Sequence, residues 1–290
     1  MELKPAEEKL TPISMDGLFQ DFSPVWRRTP GRRKKFILNL TDVKFVDPYA
    51  AVTICLLIEA VAERLKARPR IIPPKEDLVT GYLGRLGFWD HIGLVADVEG
   101  GIDLAKKRVF PLDSDVLLEL TPIRNATDVK NITKHLLKII AANLEYSDKS
   151  VNKIINLISE LCRNILDHSN AAGWATAQRY VHADGTRFLQ IGVADAGIGI
   201  KESLKTRYPK AGRWTHQEAI LKALQKDFSR FPKRGLGLYM VHRIVEDFKG
   251  HLHLRSGDSR VFLGTTQRGF SVDWFPGVQA SISLSERAGA

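Results

Sequence analysis

Glu160 and Asn164 are the first residues in this sequence whose types and spacing could do chemistry. They lie four apart in the stretch SVNKIINLISELCRNILDHS, whose apolar residues recur at helical spacing, so both should project from one helical face. An amide oxygen can ligate a hard cation such as Mg²⁺, and a carboxylate one turn away can orient or deprotonate a nucleophile. His168 lies one further turn along the same row. Taken alone, a solvated polar face explains this common pattern better.

A second candidate is the carboxylate at the end of the predicted strand RFLQIGVAD. Leu189, Ile191 and Val193 share a parity that Asp195 continues, so this carboxylate should face the core. A buried carboxylate costs several kcal/mol unless it is paired or hydrogen-bonded. The exocyclic amine of adenine is a suitable donor, whereas guanine presents a carbonyl that would repel the carboxylate.

The glycines that follow Asp195, in the stretch DAGIGI, favour close approach of the backbone to a planar ring. Gly197 and Gly199 carry no Cβ, and Ile200 then returns the chain to apolar character. An ordinary turn at the end of a strand is the simpler explanation if this segment is considered alone.

A third motif, KRGLGLYMV, places two glycines where a loop should enter a helix. Free backbone N–H groups and the positive end of the helix dipole would form an anion site there. A simple helix start explains such a GxG equally well. Lys233 and Arg234 add positive charge just before the helix, and the candidate cofactor-binding residues of this motif are Lys233, Arg234, Gly235, Leu236, Gly237 and Leu238.

The order of these motifs, ELCRNILDHS, then DAGIGI, then GLGL, resembles the gyrase, Hsp90, histidine-kinase and MutL (GHKL) superfamily of ATPases, whose domain is the Bergerat fold. The resemblance covers roughly residues 113 to 290. It implies an ATP lid at about residues 200–234. The pattern is most similar to the serine kinases typified by anti-sigma factors, because Glu160 opens the first motif and no helix with a phosphoacceptor histidine precedes it.

The resemblance implies ATP and Mg²⁺ as cofactors. By the same resemblance Glu160 is the general base, Asn164 holds Mg²⁺ and Asp195 reads adenine. The other pocket residues that it implies are Gly197, Gly199, Ile200, Lys233, Arg234, Gly235, Leu236, Gly237 and Leu238.

This sequence departs from the superfamily pattern in two places. Gly250 is followed by His251 instead of a second glycine, and Gly277 is followed by Val278 instead of threonine, which removes a hydroxyl. Both departures bear on nucleotide affinity or turnover more than on the fold.

The N-terminal half alternates predicted strands and helices: KKFILNL, a helix from Tyr49 to Ala67, RPRIIPP, and a helix with Leu78, Tyr82 and Leu86 on one face. With VKFVDPYAAVTICLL and YLGRLGFWDHI, it resembles the sulfate-transporter and anti-sigma-antagonist (STAS) domain. Asp47 is followed by Pro48 and Tyr49, so the usual phosphoacceptor serine is missing. An unrelated small α/β domain remains the alternative.

We therefore predict an α+β chain of two domains. A STAS-like α/β docking or sensing domain spans residues 1–108, and a GHKL ATPase or kinase domain spans residues 109–290. The second domain is expected to be a Bergerat-type α/β sandwich, a mixed, mostly antiparallel sheet covered by helices on one face. Its last part, HLHLRSGDSRVFL and GVQASISL, is predicted to form three strands.

The 290 residues carry a net charge of +10, and ten Lys/Arg against three acids lie between residues 200 and 234. This charge favours an anionic partner. The two cysteines indicate reduced thiols in a cytoplasmic protein, and no stretch predicts a membrane span.

Three functions remain open from the sequence: a protein kinase acting on a regulatory partner, an ATP-dependent switch without phosphate transfer, and a nucleic-acid-linked ATPase. Nucleic acid is the least favoured because no aromatic residues interleave the basic patches. The resemblance to anti-sigma-type proteins also implies that a homodimer can form.

Overall fold

The computed structural model describes residues 1–27, 35–100, 116–169, 171–226, 228 and 237–286. Among these residues, the N-terminal part contains short parallel strands and four helices. The strands are β1 (Glu2–Leu3), β2 (Lys9–Leu10), β3 (Ile37–Asn39), β4 (Phe45–Val46), β5 (Arg70–Ile72) and β6 (Asp97–Val98). The helices are α1 (Ser14–Arg27), α2 (Pro48–Leu65), α3 (Asp77–Arg85) and α4 (Phe88–Val95).

The alternating order of strands and helices predicted for this half is confirmed. Strands β1, β3, β5 and β6 form a parallel sheet in the order β1-β3-β5-β6, and β2 pairs with β4. Helix α2 begins where the predicted helix does, because the carboxylate of Asp47 caps it by accepting the Ala50 N–H at 2.7 Å, and Pro48 occupies its first turn.

The single helix predicted to follow β5 is wrong. Two helices, α3 and α4, stand there, and Gly87 separates them in a left-handed conformation with φ of 74°. The predicted face is also wrong, since Leu78 is 85% exposed whereas Leu86 is fully buried. The turn at Gly87 redirects the chain, so one helical period does not run across the whole segment.

The C-terminal part has a five-stranded sheet and five further helices among the described residues. The strands are β7 (Val116–Ile123), β8 (Gly173–Val181), β9 (Arg187–Asp195), β10 (His251–Leu263) and β11 (Gln267–Ser285). The helices are α5 (Ala126–Asn143), α6 (Asp148–Asn164), α7 (Gly199–Lys205), α8 (His216–Ala223) and α9 (Gly237–Asp247).

The sheet is antiparallel throughout its described pairs, in the order β10-β11-β9-β8-β7. The helices of this part pack their apolar faces on one side of it, so the predicted α/β sandwich is confirmed. The sequence predicts three strands in this last part, but the structure has two, because β10 and β11 are long and form one hairpin. Register shifts beside Gly257 let the ladder continue where the sequence pattern breaks.

The other face of this sheet packs against the N-terminal helices. Helix α2 crosses β9 and β8, and α1 lies on β11. Trp174, Ala194 and Phe275, from three strands of the C-terminal sheet, belong to the same buried apolar cluster as the N-terminal core. The predicted boundary after residue 108 lies outside the described residues. Within the described ranges, no helix has the length and apolar character needed to cross a membrane.

Substitution of Gly192 tests the contact between the two parts of the chain. A Cβ there would lie 2.5 Å from the Pro48 carbonyl, so Gly192→Ala should lower the free energy of unfolding by about 1–3 kcal/mol through overpacking. Gly93→Ala, within α4, is the control, since its Cβ would meet nothing within 4 Å. Chemical denaturation measures both variants. Equal stability of the two would contradict the packing described.

Candidate functional site

Helix α6 carries the first pair of candidate residues. The Ser147 hydroxyl caps its start, and a π-helical turn, Ile165–Ser169, extends its end. The predicted apolar stripe is buried except for the partly buried Ile155. Its buried members are Val151, Ile154, Ile158, Leu161, Cys162 and Ile165. The stripe fixes the rotation of α6, so Glu160 and Asn164 face the space beside the first turn of α9.

Gly237, the first residue of α9, closes against this pair. A Cβ at position 237 would lie 3.3 Å from Glu160 Oε2 and 3.5 Å from Asn164 Oδ1. The Asn164 amide nitrogen is buried and has no hydrogen-bond partner among the described residues. A side chain at position 237 would therefore fill the space into which both polar groups point, and a ligand could satisfy the amide.

Asp195 lies at the end of β9 and lines the same cavity as the start of α9. Its side chain is 3% exposed, as the strand parity predicted. The N–H of Gly197 donates to its Oδ1 at 2.8 Å, and the N–H of Val278 also donates to the carboxylate. Burial raises the pKa of Asp195 to about 7, because these two donors do not replace the lost hydration. A further donor from a ligand would stabilise the ionised form.

The two glycines after Asp195 have different structural roles. Gly197 packs on the backbone of Ser169 too closely for any Cβ, and the neighbouring Ile198 N–H donates to the Ser169 carbonyl at 2.9 Å. Gly199 starts α7 with φ of +76°. There the Ile200 N–H donates to the Ser256 hydroxyl at 3.0 Å, which ties the motif to β10. Both contacts hold the loop beside Asp195.

These elements enclose one cavity with about 920 Å³ of empty space, including the part open to solvent. Most of the candidate residues that the structure describes line it: Glu160, Asn164, Asp195, Gly199, Ile200, Gly237 and Leu238. Gly197 does not line the cavity but packs against Ser169, which does. The candidates Lys233, Arg234, Gly235 and Leu236 lie outside the described residues.

Several lining residues were not identified from the sequence. Val193 and Ala280 form the apolar floor of the cavity on the sheet, and Leu204 comes from α7. Val193 carried a usable signal, since it shares the parity of Asp195. The rest depend on how strands and helices meet in space, which the sequence pattern does not record.

His168 connects the π-helical turn to the predicted lid. Its Nδ1 lies 3.0 Å from the Ser203 hydroxyl on α7, and both residues line the cavity. The described part of the lid is ordered into α7, a 3-10 turn (Pro209–Arg213) and α8. Phe228, after α8, also lines the cavity and stacks on Tyr208 with ring centroids 5.1 Å apart.

The donor set fits a magnesium ion that accompanies a nucleotide better than a metal held by protein alone. No group of three or more His, Cys, Asp or Glu side chains that could bind a metal occurs among the described residues. Mg²⁺ usually keeps several waters and is bound through one or two protein oxygens plus substrate phosphates. The amide of Asn164, beside the space at Gly237, suits that arrangement.

Comparison with known proteins agrees with this geometry. A search of curated proteins found no match to the chain. Residues 150–277 match the family of histidine kinase-, DNA gyrase B- and HSP90-like ATPases. The matched segment contains the Glu160 and Asn164 pair, Asp195 with its glycines, and the start of α9. This match supports a GHKL-type ATPase domain over residues 150–277.

Proposed function

We propose that this chain is an ATP-dependent regulatory protein whose C-terminal domain binds Mg²⁺-ATP and phosphorylates a serine or threonine on a partner protein. One observation carries the proposal above the others: a buried carboxylate, Asp195, lines the same cavity as Glu160 and Asn164. The likeness of the three motifs to those of anti-sigma-type serine kinases supports the reaction.

Asp195 would select the base. Its ionised carboxylate accepts hydrogen bonds only, so it matches the exocyclic amine of adenine and opposes the carbonyl that guanine presents. Val193 and Ala280 give the base an apolar floor. A site that hydrogen-bonds one base in this way strongly rejects an analogue that leaves its buried group unpaired.

Asn164 and Glu160 would act at the other end of the nucleotide. Asn164 would hold Mg²⁺ through its amide oxygen, and the ion would neutralise phosphate charge when bound. Glu160, one helical turn earlier, would accept the proton of the attacking hydroxyl. Both side chains are fixed on α6 rather than on a loop, which keeps them in place relative to each other.

The phosphoacceptor would lie on another protein. If the N-terminal part is a STAS-like domain, the phosphoacceptor serine is expected directly after Asp47. Here the residues after Asp47 are Pro48 and Tyr49, both buried, and the Tyr49 ring is fully covered. A docking or sensing role for this part remains our proposal, as does a homodimer of the chain.

A switch that binds ATP without transferring phosphate is the second candidate. Val278 favours it, because it lines the cavity where the superfamily pattern has a threonine hydroxyl. The Val278 N–H donates to Asp195, so the missing hydroxyl would lie beside the base, and its loss would lower nucleotide affinity or turnover. Binding and lid closure would then change the partner that the chain engages.

Removal of the Asp195 carboxylate should weaken ATP binding. Asp195→Ala loses a charge-assisted hydrogen bond of about 1.5–3 kcal/mol, which corresponds to about a tenfold to hundredfold rise in Kd. Titration calorimetry with ATP measures it, and Asp42→Ala, at an exposed carboxylate paired with Lys4, is the control. Undiminished ATP binding by Asp195→Ala would refute the role of this residue.

The stability of the nucleotide-free protein should also depend on Asp195. Because the pKa of Asp195 is raised from 3.8 to about 7, its favourable contribution is complete below about pH 4 and is lost as pH rises through 7. Asp195→Asn removes that loss, so its free energy of unfolding relative to wild type should increase from pH 5 to pH 8. Chemical denaturation at several pH values measures the difference.

Asp47 provides an internal control for that comparison. Burial raises its pKa to about 7 as well, but it is present in both proteins and cancels in the difference. A difference that stays constant between pH 5 and pH 8 would contradict the protonation assigned to Asp195.

Glu160→Gln should separate binding from chemistry. Loss of the general base should slow transfer of labelled γ-phosphate about 10²–10⁴-fold, with ATP affinity nearly unchanged. The assay follows label from ATP onto co-purifying partner proteins and into free phosphate, with the exposed Glu63→Gln as the control. Label on protein supports the kinase, whereas label only in free phosphate, or ATP binding without either product, supports the switch. Turnover unaffected by Glu160→Gln would refute its role.

A further inference from the structure

Arg255, in the middle of β10, is a fully buried cation on the face of the sheet that contacts the N-terminal part. Its side chain is 0% exposed, and its guanidinium lies over the ring of Phe19 at 4.3 Å. The carboxylate of Asp16 lies 3.6 Å from its Nε. Both Phe19 and Asp16 belong to α1, so the N-terminal part supplies the ring and the counter-ion of Arg255.

Gln279 connects Arg255 to the strand that carries Asp195. It stands directly opposite Arg255 in the β10–β11 ladder, and its Oε1 accepts a hydrogen bond from Arg255 Nη1 at 3.5 Å. Its Nε2 donates to the Asp195 carbonyl at 2.9 Å and to the Pro276 carbonyl at 2.8 Å. Gln279 is itself fully buried.

Asp195 is therefore held from both faces of the sheet. Its carboxylate points into the cavity, while its backbone carbonyl is fixed by Gln279 on the opposite side. A small shift of this carbonyl would change the position of the carboxylate relative to a bound base. Binding sites require their groups to lie within about 0.5 Å of the productive geometry.

The contact with α1 is energetically important because Arg255 is buried. A buried charge that loses its partner strongly destabilises a protein. Asp16 also accepts a hydrogen bond from Arg260 Nε at 2.7 Å, so one carboxylate serves two guanidiniums. If α1 moved away, Arg255 would lose its counter-ion and keep only neutral hydrogen-bond partners, the Asp273 carbonyl and Gln279, so its contact with Gln279 would change.

We propose that Gln279 is a positioning residue for Asp195, and that Asp16, Arg255 and Gln279 make adenine selection depend on α1 being in place. The N-terminal part would thus set the nucleotide preference of the site through a chain of direct contacts. This inference rests on the proposed function, because it assumes that Asp195 reads adenine.

The test measures the ratio of the GTP and ATP dissociation constants for the full chain by titration calorimetry. Asp16→Asn and Gln279→Leu, which keep side-chain size, should each lower this ratio at least fivefold, the lower end of usual coupling between sites. Asp42→Asn, which removes an exposed carboxylate from the same part of the chain, should leave it unchanged. Loss of folding alone would not selectively remove discrimination between two bases.

The double variant Asp16→Asn/Gln279→Leu tests whether the two residues act through one another. Its ratio should fall by much less than the product of the two single effects. Multiplicative effects, or unchanged ratios in both single variants, would overturn the proposal. If the wild-type chain itself does not prefer ATP, the proposed reading of adenine by Asp195 fails instead.

Hydrogen exchange of the wild-type chain decides the matter should the variants not fold. Because coupling between two sites is reciprocal, saturation with ATP should slow exchange of the amides of α1, and GTP at equal concentration should not. Exchange in α1 that is the same with and without bound ATP would overturn the proposal.

Discussion

Burial of the Asp195 carboxyl group is the interaction on which the rest of the candidate site depends. Burial on β9, offset only in part by two backbone N–H donors, leaves this group with a pKa near 7, so it is only partly ionised at neutral pH. Such groups persist where function requires them. Of the glycines that follow, Gly197 packs against Ser169 and Gly199 lines the cavity.

The second constraint is that the sheet is covered on both faces. One face carries α6 and α9 with the cavity between helices and sheet, and the other carries α1 and α2. The strand that presents Asp195 to the cavity also presents Gly192 and Ala194 to the N-terminal part. A shift of the elements packed on either face would therefore move the same strand. This gives the proposed regulation by the N-terminal part a physical route.

The local geometry of the site could be predicted from the sequence because it depends on short-range periodicity. Helical spacing placed Glu160 beside Asn164, and strand parity turned Asp195 inward. The break at Gly87 was missed because a glycine within an apolar pattern fits either a helix or a turn. The face predicted for α3 is displaced by one position, since the helix buries Val79 and Leu83 and leaves Leu78 exposed.

Contacts between distant segments could not be predicted in the same way. In the sequence, Gln279 is one residue of an alternating strand, and its neighbours do not indicate that its side chain reaches the Asp195 carbonyl. Arg255 within an apolar strand likewise gives no sign that Asp16, far earlier in the chain, supplies its counter-ion. Such pairs arise from the register of β10 on β11 and from the docking of α1.

The most direct measurement of the central claim is the titration of the Asp195 carboxyl carbon by NMR, with and without ATP. The nucleotide-free protein should titrate this group near pH 7. With ATP bound its pKa should fall, because the adenine amine donates to the ionised form. An Asp195 pKa that is ordinary in the free protein, or unchanged by ATP, would contradict the account.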